Sequence, residues 1–172
     1  MVNQIFSNQT IVEKVKNIRF LLTDCDGVLT DGGVYYSNNG EVMKRFNIRD
    51  GMGVERLRKV LQIEVGIISG EESNSIRKRA EKLGITELHL GIVDKRAVLQ
   101  EIIDRRQLSF QQIAYMGDDK NDIEVMKLVG LTGCPRDAFS EIINQVDFIS
   151  EKNGGHGAFR DFVEFIISKQ AK

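Results

Sequence analysis

From Ile18 onward, short β-branched runs alternate with longer stretches of helical period, a pattern that a chain satisfies by winding strand-helix units around a parallel sheet. The expected fold class is therefore α/β, a Rossmann-like parallel sheet sandwiched by helices. Strands are expected at 18–24, 65–69, 87–90 and 113–117, with shorter ones near 130–132 and 147–150. Helices are expected at 52–62, 73–83, 94–106, 121–129, 138–145 and 158–169; Val98, Leu99, Ile102 and Ile103 form one apolar face of the third.

One segment departs from the alternation. Apolar runs at 34–36 and 42–46 flank Ser37-Asn38-Asn39-Gly40, and Asn-Gly between such runs is a strong β-hairpin signal. The hairpin falls after the first strand and is too small to be a cap domain. Something else must cover the mouth of any site there, or leave it open. The length of 172 residues suits a single domain, 1–172, with room for a core.

The first strand runs straight into two acids, Asp24 and Asp26, and residues spaced by two in extended backbone point to the same side. Carboxyl ends of parallel strands are where open α/β sheets bind ligands, and two converging carboxylates repel unless a cation lies between them. Gly27 permits the sharp turn away. A second acidic cluster, Asp118, Asp119 and Asp122, follows the apolar strand ending at Gly117. Asn121 or Asp122 serves there as a helix cap in the plainer reading, which leaves Asp118 and Asp119 unexplained. Oxygen donors at two strand ends, without histidine or cysteine beside them, specify a hard cation, Mg2+ rather than zinc. Ser69 at the end of the second parallel strand offers a hydroxyl, and Lys95 at the start of the helix after the third offers an ammonium. Alone, each is an ordinary turn or surface residue. Placed beside two acidic strand ends, they supply what a phosphate needs.

Composition narrows the remaining classes. A hydrophobic fraction of 41%, a charged fraction of 28% and a net charge of -1 describe an ordinary globular chain and give no reason to expect nucleic acid. The basic runs at 56–59, 77–82 and 105–106 sit among acidic neighbours and read as solvated helix faces, Arg79 being held back. No membrane span is expected, and the segment 1–17 lacks the apolar core of a secretory signal. Two distant cysteines, Cys25 and Cys134, suit a reducing cytoplasm. Cys25 is expected to be a small buried side chain rather than a nucleophile. His89 and His156 are expected to be structural or solvent-facing.

In order along the chain, Asp24-x-Asp26-Gly27-Val28-x-Thr30, Ser69-Gly70, Lys95 and Gly117-Asp118-Asp119-x-x-Asp122 resemble the four motifs of the haloacid dehalogenase superfamily. The resemblance implies that Asp24 attacks phosphorus to form an aspartyl-phosphate, while Asp26 acts as general acid and then general base. It implies a magnesium ion on Asp24, the Asp26 carbonyl and Asp118, with Asp119 and Asp122 supporting these ligands from behind. Ser69 and Lys95 then bind the transferring phosphoryl oxygens.

Asp31-Gly32, the hairpin, Phe46-Asn47-Ile48-Arg49-Asp50-Gly51, Arg77-x-Arg79-Ala80 and Gly154-Gly155-His156-Gly157-Ala158-Phe159-Arg160 are similar to the capless phosphatases of 2-keto-3-deoxy sugar acids. That resemblance implies a sugar-acid phosphate substrate of eight or nine carbons, lined by Asn47, Ile48, Arg49, Asp50, Gly51, Glu71 and Arg79. It also implies homotetramers in which hairpins associate and a neighbour covers each site. The segment 154–157 reads equally as a flexible linker or as part of a neighbour's closure. Glu71 stands where octulosonate phosphatases resemble one another in carrying arginine, and Lys82 lies three positions after Arg79. This acid-lysine pairing looks like the nine-carbon group, whereas Asn47 to Gly51 looks like the eight-carbon group. Two other classes compete: an oligomerising module of the kind attached to acylneuraminate cytidylyltransferases, which needs none of the acidic motifs kept together, and a phosphotransfer receiver domain, which has no use for Asp26.

Overall fold

The computed structural model describes residues 10–170; the parts of the leader and single-domain expectations that fall on 1–9 and 171–172 lie outside them. The elements run α1 (Ile11–Asn17), β1 (Phe20–Thr23), β2 (Thr30–Ser37), β3 (Gly40–Phe46), α2 (Ile48–Leu61), β4 (Glu64–Ile68), α3 (Asn74–Leu83) and β5 (Glu87–His89). They continue with α4 (Lys95–Arg106), β6 (Ile113–Met116), α5 (Ile123–Met126), β7 (Leu131–Cys134), α6 (Ser140–Ile143), β8 (Phe148–Ile149) and α7 (Ala158–Gln170).

Six strands form one parallel sheet in the order β5-β4-β1-β6-β7-β8, and β2 with β3 forms a separate antiparallel hairpin. The chain leaves β1 toward β4 and β5, then returns to the other side with β6. The carboxyl ends of β1 and β6 therefore flank the point where strand order reverses, with β4 beside β1, at the ligand crevice of open α/β sheets. Alternation along the strands splits the core between two faces. Leu21, Ala114 and Met116 pack with Val54, Leu57, Ile76, Phe159 and Phe162 on one side, while Phe20, Leu22, Ile113 and Tyr115 pack with Val98, Leu99, Ile102 and Val125 on the other. Burying both faces is why β1 is uniformly apolar up to Thr23.

Several boundaries differ from the sequence expectation. Helix α2 begins at Ile48 rather than 52, because the Asn47 side chain accepts from the Arg49 amide 2.8 Å away and caps the helix. Helix α1 was absent from the expectation; a capping box joins Thr10 and Glu13 and starts it. The expected helix at 121–129 is a 3-10 turn, Lys120–Asp122, and then the four-residue α5; the Asp122 side chain is drawn inward, which tightens the entry. The expected helix at 138–145 shortens to α6. Among the described residues, no helix is long and apolar enough to cross a membrane. Both cysteines are free and buried.

Candidate active site

Asp24 and Ser69 stand immediately beyond strands of the parallel sheet, Asp26 lies in the turn after β1, and Lys95 stands at the start of a helix. Asp24 follows β1, and its amide donates to the Met116 carbonyl at 2.9 Å, so the turn is pinned to β6. Its Oδ1 accepts from the Cys25 amide at 2.7 Å and lies 3.0 Å from Lys95 Nζ. Lys95 opens α4, whose amino terminus Asp94 caps by accepting from the Ala97 amide at 3.0 Å. Ser69 follows β4, is 1% exposed and accepts from the Glu71 amide at 3.1 Å. These strand ends share one cleft, lined by Asp24, Asp26, Ser69, Gly70, Glu71, Asp118, Asp119 and Asn121.

Asp122 organises the acidic side. Its Oδ1 accepts from Lys95 Nζ at 2.8 Å and the Tyr115 hydroxyl at 2.6 Å. Its Oδ2 accepts from the amides of Asp118 at 3.0 Å and Asp119 at 3.3 Å. With both oxygens so engaged, Asp122 is a brace rather than a ligand, even though its carboxylate lies within 4.8 Å of those of Asp24 and Asp118. Asp118 Oδ1 and Asp26 Oδ2 are the buried side-chain oxygens with no hydrogen-bond partner among the described residues. Asp118 approaches this closely because residue 27 is glycine: at φ +82°, a Cβ there would stand 2.0 Å from Asp118 Oδ2.

The site crowds carboxylate charges together in a buried setting. Burial, then the charges of Asp24, Asp122 and Asp119, push the Asp118 carboxyl up to about 8, with Lys95 opposing. Burial and Asp122 likewise raise Asp24 above the ordinary carboxylate range, against the pull of Lys95 and the Cys25 amide. Burial disfavours the Lys95 ammonium, but Asp24 and Asp122 outweigh it and its pKa rises, so it stays charged. A divalent cation with oxygen preference fits this set: two crowded carboxylates and unsatisfied buried oxygens.

Asp26 is held by two residues. Its Oδ1 accepts from Lys44 Nζ at 2.8 Å and from the Thr30 hydroxyl at 3.2 Å. Thr30 belongs to the first motif. Lys44 and Tyr115 were not singled out from sequence; a lysine in an amphipathic hairpin and a tyrosine in an apolar strand carry no local signal of what they meet.

Of the expected substrate residues, Glu71 lines the acidic cleft and the rest sit around α2 and α3. Asn47 caps α2 and donates from Nδ2 to the Gly155 carbonyl at 3.1 Å. Ile48 and Arg49 are exposed in its first turn. Asp50 is buried, and its carboxylate accepts from the amides of Gly157 at 3.2 Å and Arg160 at 2.9 Å. Arg79 donates to the Asn47 carbonyl at 2.9 Å and lies over the Phe46 ring, 5.6 Å from its centroid. Gly51 makes room for it, since a Cβ there would meet Arg79 Nη2 at 2.5 Å. Lys82 is exposed in the last turn of α3 and is not among the residues lining the cleft.

The flexible-linker reading of 154–157 is corrected. The Gly155 amide donates to the Val28 carbonyl at 2.9 Å and the Gly154 amide to Asp137 Oδ1 at 2.9 Å. A Cβ on Gly154 would stand 1.8 Å from the Gly27 carbonyl oxygen. The segment is clamped against the loop that carries Asp26. His156 takes part, with Nδ1 2.7 Å from the Gly154 carbonyl and Nε2 2.8 Å from Arg45 Nη2. His89 pairs with Glu87 instead, at 2.7 Å.

Known proteins resemble this chain along most of their length. Residues 69–160 match a model of haloacid dehalogenase-like hydrolases. The chain is 38% identical over 162 residues to the 3-deoxy-D-manno-octulosonate 8-phosphate phosphatase of Escherichia coli K12, covering 94% of this chain and 86% of that one. The cobalt-bound octulosonate 8-phosphate phosphatase of Haemophilus influenzae superposes with a TM-score of 0.88 at 37% identity, covering 92% of each chain. The Moraxella catarrhalis phosphatase, in complex with magnesium, phosphate and a KDO molecule, gives 0.89 at 31% identity, covering 94% of this chain and 92% of that one. Fold, ordered motifs and relatives agree, and the chain belongs to the haloacid dehalogenase-like hydrolases.

Proposed function

We propose that this chain is a magnesium-dependent phosphatase of a 2-keto-3-deoxy sugar acid phosphate, acting through an aspartyl-phosphate on Asp24. The observation that carries the proposal is the convergence of Asp24 and Asp118 on one cleft, with the buried Lys95 ammonium 3.0 Å behind Asp24 and buried carboxylate oxygens left unsatisfied. An oligomerising module has no physical use for that costly arrangement.

In the first step an Asp24 oxygen bonds to phosphorus as the ester P–O bond breaks, and the leaving oxygen takes a proton from the Asp26 carboxyl. In the second, Asp26 takes a proton from water whose oxygen attacks phosphorus, releasing inorganic phosphate and restoring the Asp24 carboxylate. Lys95 and the Ser69 hydroxyl bind the equatorial oxygens, where negative charge spreads in the transition state. Magnesium would be held by Asp24, Asp118 and the Asp26 carbonyl, and when bound it offsets the negative charge that carboxylates and phosphate bring together.

The eight-carbon octulosonate 8-phosphate is the preferred substrate, supported by the names of the relatives. The carboxylate of Glu71 in the cleft favours a second reading, a nine-carbon nonulosonate 9-phosphate, because an acid there repels the substrate carboxylate that an arginine would bind. Turnover of both phosphates by native protein and by Glu71→Arg tests this: an eight-carbon enzyme prefers that ester from the start. Activity on neither compound, with magnesium present, contradicts the proposal. Hairpin-mediated homotetramers are part of the same reading. Tyr35, Tyr36, Val42 and Met43 on the hairpin are 52%, 72%, 58% and 52% exposed, apolar surface that association would cover. An active monomer in light scattering would contradict it.

A further inference from the structure

The hairpin is exposed along most of its length, yet Lys44 turns inward from β3. Its side chain is 1% exposed, and its ammonium stands 2.8 Å from Asp26 Oδ1. On its other side it lies 3.5 Å from Glu41 Oε2. Glu41 in turn accepts from the hydroxyl of Ser73, the residue that caps α3 at the Ile76 amide. A continuous polar chain thus runs from the amino terminus of α3, through the hairpin, to the acid beside the expected nucleophile.

The two oxygens of Asp26 are treated differently. Oδ1 is held by Lys44 and Thr30, whereas Oδ2 is buried without a partner among the described residues. A free aspartate rotates readily about its last torsion, so its oxygens interchange. An ion pair with a buried lysine, itself anchored by Glu41, removes that freedom. We propose that Lys44 is a positioning residue for phosphoryl transfer: it fixes Asp26 by Oδ1 and so leaves Oδ2 as the atom that exchanges protons with the leaving oxygen and with water. This rests on the phosphatase reading above and deepens it.

A positioning role of this kind depends on the leaving group, which a merely structural role does not. An alkoxide needs a proton as it departs; a nitrophenolate leaves as a stabilised anion. The experiment compares kcat/KM for the sugar-acid phosphate and for p-nitrophenyl phosphate in native protein and in Lys44→Met, with magnesium present. This ratio reports the steps through cleavage of the ester bond. The expected result is a fall of on the order of 10²-fold for the alkyl ester, the scale of a lost general acid, and less than about tenfold for the aryl ester. An equal fall for both esters, or no fall, overturns the proposal. Lys44→Arg keeps a buried cation and so preserves the fold if methionine does not; its displaced donors are expected to give a smaller loss, still confined to the alkyl ester. A crystal structure of either variant adds a readout independent of turnover, since an Asp26 carboxylate found unmoved overturns the proposal. If native protein hydrolyses neither ester, the phosphatase reading falls and takes this inference with it.

Discussion

Lys95 Nζ lies 3.0 Å from Asp24 Oδ1 and both side chains are buried, so the ammonium is fixed beside the expected nucleophile before any substrate arrives. Removing the Asp24 charge leaves Lys95 with Asp122, 2.8 Å away, and the buried cation keeps a partner. Asp24→Asn is therefore expected to fold normally while losing turnover by on the order of 10³-fold or more, because the amide is nearly isosteric and a very poor nucleophile. Steady-state kinetics with a thermal melt of the same sample check both halves.

Magnesium is expected to stabilise the protein as well as activate it, since a ligand that binds only the folded state raises stability by mass action. A chelator should abolish turnover and lower Tm, and added magnesium should restore both. In Asp118→Asn the metal-dependent rise in Tm is expected to shrink markedly. Full activity in excess chelator would contradict the metal assignment.

Asp50 is expected to matter for stability. Its carboxylate satisfies the amides of Gly157 and Arg160 in a buried setting, and Asp50→Ala leaves both donors without a partner. At about 1–3 kcal/mol per unsatisfied buried group, the loss for two such groups is expected to be about 2–6 kcal/mol, read from chemical denaturation. Asp50→Asn keeps an acceptor and is expected to lose less.

Glu87 supplies a pH signature remote from the cleft. Burial works against its ionised form, but hydrogen bonds from Arg105, His89 and Arg106 outweigh it and bring its carboxyl down to about 2. A folded-state pKa below the unfolded value of 4.5 contributes stability that is present above about 4.5 and lost as pH falls through about 2. Because Arg105 is 57% exposed and screened by solvent, the contribution is roughly 1–2 kcal/mol. Glu87→Gln is expected to be less stable than native protein at neutral pH, and the gap should close in acid and narrow with added salt. A gap unchanged from neutral pH to pH 2 would contradict the pairing.

The alternation of β-branched and helical runs carried the sheet and its helices because burial on both faces leaves a strong periodic trace. The acidic strand ends were legible for a related reason: carboxylates directly after apolar strands have few structural explanations. Helix α1 lay outside the expectation although Thr10 and Glu13 spell a capping box, because its short segment lacks the apolar period that marks the other helices. Asp50 was a different case. Its oxygens accept from amides more than a hundred positions away, a pairing no local pattern encodes. Lys44 was hidden for the same reason, because its neighbours in sequence are exposed and its partner is Asp26.

The seam between Gly154-Gly155 and the Gly27–Asp31 turn has a consequence for biosynthesis. Asp24 and Asp26 leave the ribosome more than a hundred residues before the backbone that braces their loop, which follows every strand of the sheet. Such a distant closure is slow and entropically unfavourable until the sheet has brought its ends together. Until then, the nascent chain holds the acidic residues on an unbraced loop, so phosphate chemistry becomes possible only once the fold around it is nearly finished.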